Sequence, residues 1–133
     1  MTNEQEYFRV RAYIDEEALR RNIRTVRQKI GPDVLMLGTV KANAYGHGAE
    51  RVARILEAEG ADYLSTAIIE EAVDLRKMGI RLPILVLGYT DPDQYELALE
   101  HRIHLRRVDA QSVHQLAELV AGVGLGGITQ LAG

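Results

Sequence analysis

Short apolar runs alternate along this chain with longer segments in which apolar residues recur every three or four positions, the pattern of strands alternating with amphipathic helices. The run Val34-Leu35-Met36-Leu37-Gly38-Thr39-Val40 is nearly continuous in apolar side chains and follows Gly31-Pro32, as a strand buried on both faces does. Ahead of it, Leu19, Ile23, Val26 and Ile30 predict one buried helical stripe. Asp15 stands where the N-cap of that helix belongs, Glu16 and Glu17 near its positive end, and Arg27 and Lys29 near its negative end. A second helix is expected from about Ala49 to Glu59, burying Val52, Ile55 and Leu56, with Gly60 ending it. A strand over Tyr63 to Thr66, a helix from about Ile69 to Met78 closed by Gly79, and a strand around Ile84 to Leu87 follow. Asp91-Pro92 signals the start of a short helix through Leu99. Strand Ile103 to Val108 and helix Ala110 to Val120 complete the series.

Strands that alternate with helices through short loops run parallel, and right-handed crossovers keep the helices on one side when the sheet curls. The expected fold class is therefore α/β: a partial (β/α)8 TIM-type barrel of about four βα units with outer helices. A complete barrel takes about 250 residues, and this chain has 133. No linker rich in proline or serine divides it, so residues 15–121 read as one barrel-type unit. The stretch Tyr7 to Ile14, within a leading segment 1–14, is expected to be a strand: in the family that the residues around Lys41 resemble, this segment pairs with a separate β domain, which has no counterpart here. The glycine-rich stretch from Gly122 to Gly127 is poor helix material and opens a tail over 122–133. An open edge strand and an uncovered barrel interior predict self-association or poor solubility.

Bulk properties exclude more than they assign. A formal net charge of -3, with arginines scattered among acids, offers no basic surface to nucleic acid. Without cysteine there are no thiolate metal sites, and the four histidines lack zinc-ligand spacing, so no metal is implied. The N-terminus is polar and acidic, and no apolar run approaches the roughly 18 residues of a membrane span. A cytoplasmic setting is the expectation.

The chemistry concentrates in Val40-Lys41-Ala42-Asn43-Ala44-Tyr45-Gly46-His47-Gly48. Lys41 falls where an apolar strand meets its loop, the end of a parallel sheet that carries reactive side chains. An ammonium near apolar walls loses hydration, which favours the neutral amine that attacks a carbonyl. The nine residues together closely resemble the cofactor-lysine motif of the alanine racemases, which use pyridoxal 5′-phosphate (PLP). The resemblance extends to Tyr13-Ile14-Asp15 and to Ile84-Leu85-Val86-Leu87-Gly88-Tyr89, covering about residues 9 to 105.

The resemblance implies PLP-dependent interconversion of L- and D-alanine for peptidoglycan, through an internal aldimine on Lys41 that also serves as one of two proton-transfer bases. It implies that Tyr45 donates to the PLP phosphate and that Leu87 lines the PLP pocket. Gly46 and Gly48 permit close backbone approach or simply turn the chain, and Asn43 orients the loop or the lysine. His47, lacking an orienting partner, stays outside catalysis. Ser65 and Thr66 end a strand without a specific pattern. The family's opposing base is a tyrosine from the β domain of a partner subunit in a homodimer, and its phosphate loops follow later strands. Neither has a counterpart here. Relatives keep the fourth strand small or apolar, whereas Leu105-Arg106-Arg107-Val108 sets two arginines side by side, one of them hard to bury. The resemblance leaves a second expectation open: a truncated, non-catalytic fragment that at most binds PLP, with no turnover by the isolated chain.

Overall fold

The computed structural model describes residues 9–106 and 110–123. Helix α1 spans Glu16–Ile30, strand β1 Leu37–Thr39, a single turn α2 Lys41–Tyr45, and helix α3 Ala49–Ala58. Strand β2 spans Tyr63–Thr66, α4 Ile69–Lys77, β3 Ile84–Val86, α5 Tyr95–Glu100, β4 Ile103–Leu105 and α6 Ala110–Val123. The four strands form one sheet in the order β1-β2-β3-β4, every pair parallel. Helices α3, α4 and α5 each cross over between neighbouring strands, so the sheet is the expected run of βα units.

Register fixes what each face carries. Leu64 pairs with Ile84 and Ile84 with Ile103, and all three are buried beneath the helices with Met36, Val40 and Val86. Ile55, Leu56, Ile69, Ala72, Val73 and Leu75 of α3 and α4 complete this core. The alternate positions Leu37, Tyr63, Leu85 and His104 face the other way, onto the concave side. At its β1 edge that side is open, Leu37 being 42% exposed and Leu35 before it 69%, whereas Ser65 is buried and Tyr63, Leu85 and His104 are half-buried. The expectation that the first strand is buried on both faces is corrected here: only its helix side is. The strand is also shorter than the apolar run, because Val34 and Leu35 lie exposed before pairing begins.

Most helix boundaries fall within one residue of expectation. Asp15 Oδ1 accepts the Ala18 N–H at 2.9 Å, the N-cap that the sequence signalled. Val26 is 47% exposed, so the buried stripe of α1 is narrower than its spacing suggested; Ile23 is buried and Leu19 and Ile30 pack partly against the core. Asp91 caps through its carbonyl, which accepts from Gln94 at 2.9 Å, and a 3₁₀ turn over Pro92–Gln94 precedes α5. Strand β4 stops at Leu105, leaving Arg106 exposed, while Arg107 and Val108 lie outside the described residues. Helix α6 continues through Gly122 to Val123, past the expected end. Residues 9–14 carry no strand, and Tyr7 and Phe8 are outside the described residues.

Charged side chains tie the amino end of the sheet together. Asp62 Oδ2 accepts from the Met36 N–H and from Arg27 Nη2, each at 2.7 Å, and these bonds hold its carboxyl below the ordinary range. Glu59 is held low chiefly by Arg24, which donates to both of its oxygens at 2.7 and 2.8 Å, and further by Arg20. Both clusters join α1 to the segment following α3. Arg76 donates to the carbonyls of Ile80, Leu82, His101 and Arg102, joining the loops that feed β3 and β4.

Candidate active site

Ladder bonds continue past the strands at their carboxyl ends. Val40 N–H donates to Ser65 O at 2.9 Å, Leu87 N–H to Thr66 O at 2.9 Å, and Gly88 N–H to Ala67 O at 3.0 Å. Lys41, the Ser65–Ala67 segment and Leu87 are thereby aligned along one rim. Gly88 is required there, since a Cβ would lie 2.3 Å from Ala67 O. Just below the rim, Thr39 Oγ1 and Ser65 Oγ are 3.0 Å apart on the concave face. Thr66 Oγ1 donates to Ile68 O at 3.1 Å, which accounts for a buried hydroxyl at the strand end.

The chain leaves β1 through a turn wound left-handed. Ala42, Asn43, Ala44 and Tyr45 have φ of 51°, 54°, 53° and 55°, and Gly46 follows at 86°. Consecutive non-glycine residues in this region cost roughly 1–2 kcal/mol each, and such runs persist only where the surroundings over-determine them. Here the constraints are visible. Ala44 N–H donates to Val40 O at 2.9 Å, Gly48 N–H to Asn43 O at 2.9 Å, and His47 N–H to Ala44 O at 3.0 Å. Ala44 is itself buried in the core. Asn43 Oδ1 accepts the Ala49 N–H at 2.8 Å, so its amide caps α3 from across the loop.

Lys41 is half-buried at the start of this turn, with Nζ 6.0 Å from the centroid of the Tyr45 ring. Tyr45 itself is 62% exposed. Leu87, one residue beyond β3, is half-buried on the same rim. The three sequence-predicted site residues therefore occupy the carboxyl rim, Lys41 and Tyr45 on one turn and Leu87 two strands away. His47 Nδ1 lies 3.1 Å from Ala44 O, a loop-packing contact. Among the described residues no group of three His, Cys, Asp or Glu side chains could hold a metal, and no helix is long and apolar enough to cross a membrane.

Sequence reasoning missed Glu71. Its Oε1 accepts the Ala42 N–H at 2.8 Å, and its Oε2 accepts the N–H groups of Ala67 at 2.8 Å and Ile68 at 3.4 Å. The only signal was an acid in the third position of a helix, half of a capping box. Ile68 at the N-cap has no side-chain oxygen to complete the motif, which hides it in the sequence.

Fold and rim together define a class: an α/β barrel segment that presents an amine at the carboxyl end of its first strand. The family model described as alanine racemase, N-terminal domain, matches residues 14–125, and this chain belongs to that family, whose enzymes are isomerases. It is 40% identical over 114 residues to alanine racemase 2 of Caldanaerobacter subterraneus subsp. tengcongensis, covering 86% of this chain and 29% of that protein. It is 50% identical over 92 residues to alanine racemase of Pseudomonas syringae pv. syringae, covering 68% and 25%. The alanine racemase of Clostridium difficile 630 superposes with a TM-score of 0.78 at 36% identity, over 81% of this chain and 28% of that one. A histidine racemase from Leuconostoc mesenteroides superposes with a TM-score of 0.73 at 34% identity, over 82% and 29%. The chain thus spans less than a third of the length of these relatives.

Proposed function

We propose that Lys41 is the attachment point for PLP and the catalytic amine of an alanine racemase, and that this chain is the amine-bearing part of that enzyme's barrel. The supporting observation is the uninterrupted motif Val40 to Gly48 on a strained, heavily constrained turn at the strand rim. The donor set suits the cofactor: a primary amine for its aldehyde, the Tyr45 hydroxyl for its phosphate, and Leu87 as an apolar wall. PLP, when bound, draws electron density from the substrate α-carbon and so acidifies its proton. Lys41 then holds or moves that proton on one face. Alanine is the proposed substrate, on the strength of the sequence relatives. The histidine racemase neighbour indicates that this barrel segment serves more than one amino acid, so the side-chain selection is assigned to elements beyond it.

Exchange between the two faces of the α-carbon needs two bases. Lys41 supplies one, and the family's second is a tyrosine from the β domain of a partner subunit. In this reading residues 1–14 are the segment that in relatives pairs with that β domain, 15–121 form the barrel part and 122–133 are a glycine-rich tail. The complete enzyme is a cytoplasmic homodimer supplying D-alanine to peptidoglycan, and the 133-residue chain alone does not turn over.

The test is a PLP titration followed by visible absorbance, comparing the parent with Lys41→Ala. The expected result is a saturable visible band in the parent and none in the variant; equal bands would end the assignment. An α-proton exchange assay on alanine in deuterated water should show no turnover by the isolated chain, and measurable turnover would refute the two-base argument.

A further inference from the structure

We infer that Glu71 is a positioning residue for Lys41. This rests on the assignment of Lys41 to PLP and extends it to a second element. The Ala42 N–H belongs to the peptide that leaves Lys41, so the bond to Glu71 Oε1 fixes the plane of that peptide and with it the entry into the left-handed turn. In a turn whose first acceptor is Val40 O, taken by Ala44, the preceding amides need partners from elsewhere. Glu71 provides one with a charged acceptor, the stronger kind of hydrogen bond. Its other oxygen is anchored on Ala67 and Ile68 at the end of β2. One carboxylate therefore clamps the strand that carries the lysine to the start of α4. Neither a hydrogen bond nor an ion pair joins this side chain to Lys41 Nζ; its bonds go to backbone N–H groups, and its action is through the backbone.

Glu57 supplies an internal comparison. Its Oε1 accepts the N–H groups of Arg81 at 2.9 Å and Leu82 at 3.1 Å, a similar clamp on the loop before β3, at the opposite end of the sheet from Lys41. Loss of either clamp loosens the fold, but only loss of the Glu71 clamp should disturb the lysine.

The experiment uses Glu71→Asp, which keeps an acid in the first turn of α4 while withdrawing it from Ala42, with Glu71→Gln as a second variant and Glu57→Gln as the comparison. PLP is added across a concentration range, trapped with borohydride, and the adducts on Lys29, Lys41 and Lys77 are quantified by peptide mass spectrometry. The expected result is about a tenfold rise in the PLP concentration that half-labels Lys41 in the Glu71 variants. Labelling of Lys29 and Lys77 stays unchanged, and Glu57→Gln labels Lys41 as the parent does. Should the Glu71 variants match the parent or Glu57→Gln at Lys41, the positioning role is overturned while the cofactor assignment stands. If the parent itself shows no preference for Lys41, both fall, a result distinguishable because the parent is measured separately.

Discussion

At the scale of single residues the site is a short length of strained backbone, and the strain has identifiable supports. Asn43 is one of them, because its amide oxygen receives the first N–H of α3 while its own backbone sits at φ 54°. Asn43→Ala keeps the backbone demand and removes the cap, so it should lower stability by about 1 kcal/mol in urea unfolding. No measurable loss would mean that the turn is held without the cap. His104 gives a second residue-scale test. Burial first, and the nearby Arg76 second, hold its imidazole below the ordinary value of 6.5, and its ring packs edge-on to Tyr63. A depressed imidazole favours the neutral form in the fold, so the unfolded chain takes up the proton first. Its contribution is fully present above pH 6.5 and is lost as pH falls below it. The thermal midpoint should therefore decline between pH 7 and pH 5, and His104→Leu should flatten that decline. A parallel decline in the variant would contradict the account.

Elements are where sequence and structure agree best. Helix α1 was legible because its Asp15 cap, three-to-four spacing and Gly31 gave the same boundaries, and α3 and α4 because their apolar spacing ends at Gly60 and Gly79. The strands were legible as apolar runs but not in length, since pairing ends where a neighbour ends, and a run such as Val34 to Val40 cannot reveal that only one of its faces is covered. The left-handed turn was not legible at all. Alanine, asparagine, alanine and tyrosine carry no local preference for positive φ strong enough to announce it, and it exists because Glu71 from α4, the Asn43 bond to Ala49 N–H and the burial of Ala44 in the core hold it. Glu71 was hidden for the same reason, its partners lying 29 residues back and at the preceding strand end. Two predictions belong at this scale. Gly88→Ala should force the β3 exit away from Ala67 O and cost about 1–3 kcal/mol in chemical unfolding; unchanged stability would show that the loop yields freely. The carboxyls of Asp62 and Glu59, held low in the fold, add stability that is present above the ordinary carboxyl range of about 4 and is lost as pH falls through their depressed values. Asp62→Asn should accordingly shift part of the acid unfolding away, seen as a shallower loss of helical circular dichroism below pH 4.

For the whole molecule, the parallel sheet, its outer helices and the lysine at the strand rim were all legible, while which residues line the concave face emerges from register. Leu37, Tyr63 and Leu85 present apolar surface on the side that a closed barrel would fill. That surface is compatible with binding one small cofactor at the rim, yet it provides no second base across the α-carbon. The central claim is thus narrower than racemisation: one amine among the three lysines of the chain is set apart by its seat. Lys29 and Lys77 are exposed on helices, whereas Lys41 is half-buried at the sheet rim. The most direct measurement is the distribution of reductively trapped PLP over these three positions in the unmodified chain. The account predicts that Lys41 saturates at PLP concentrations that leave Lys29 and Lys77 essentially unlabelled. Equal labelling of all three would contradict it.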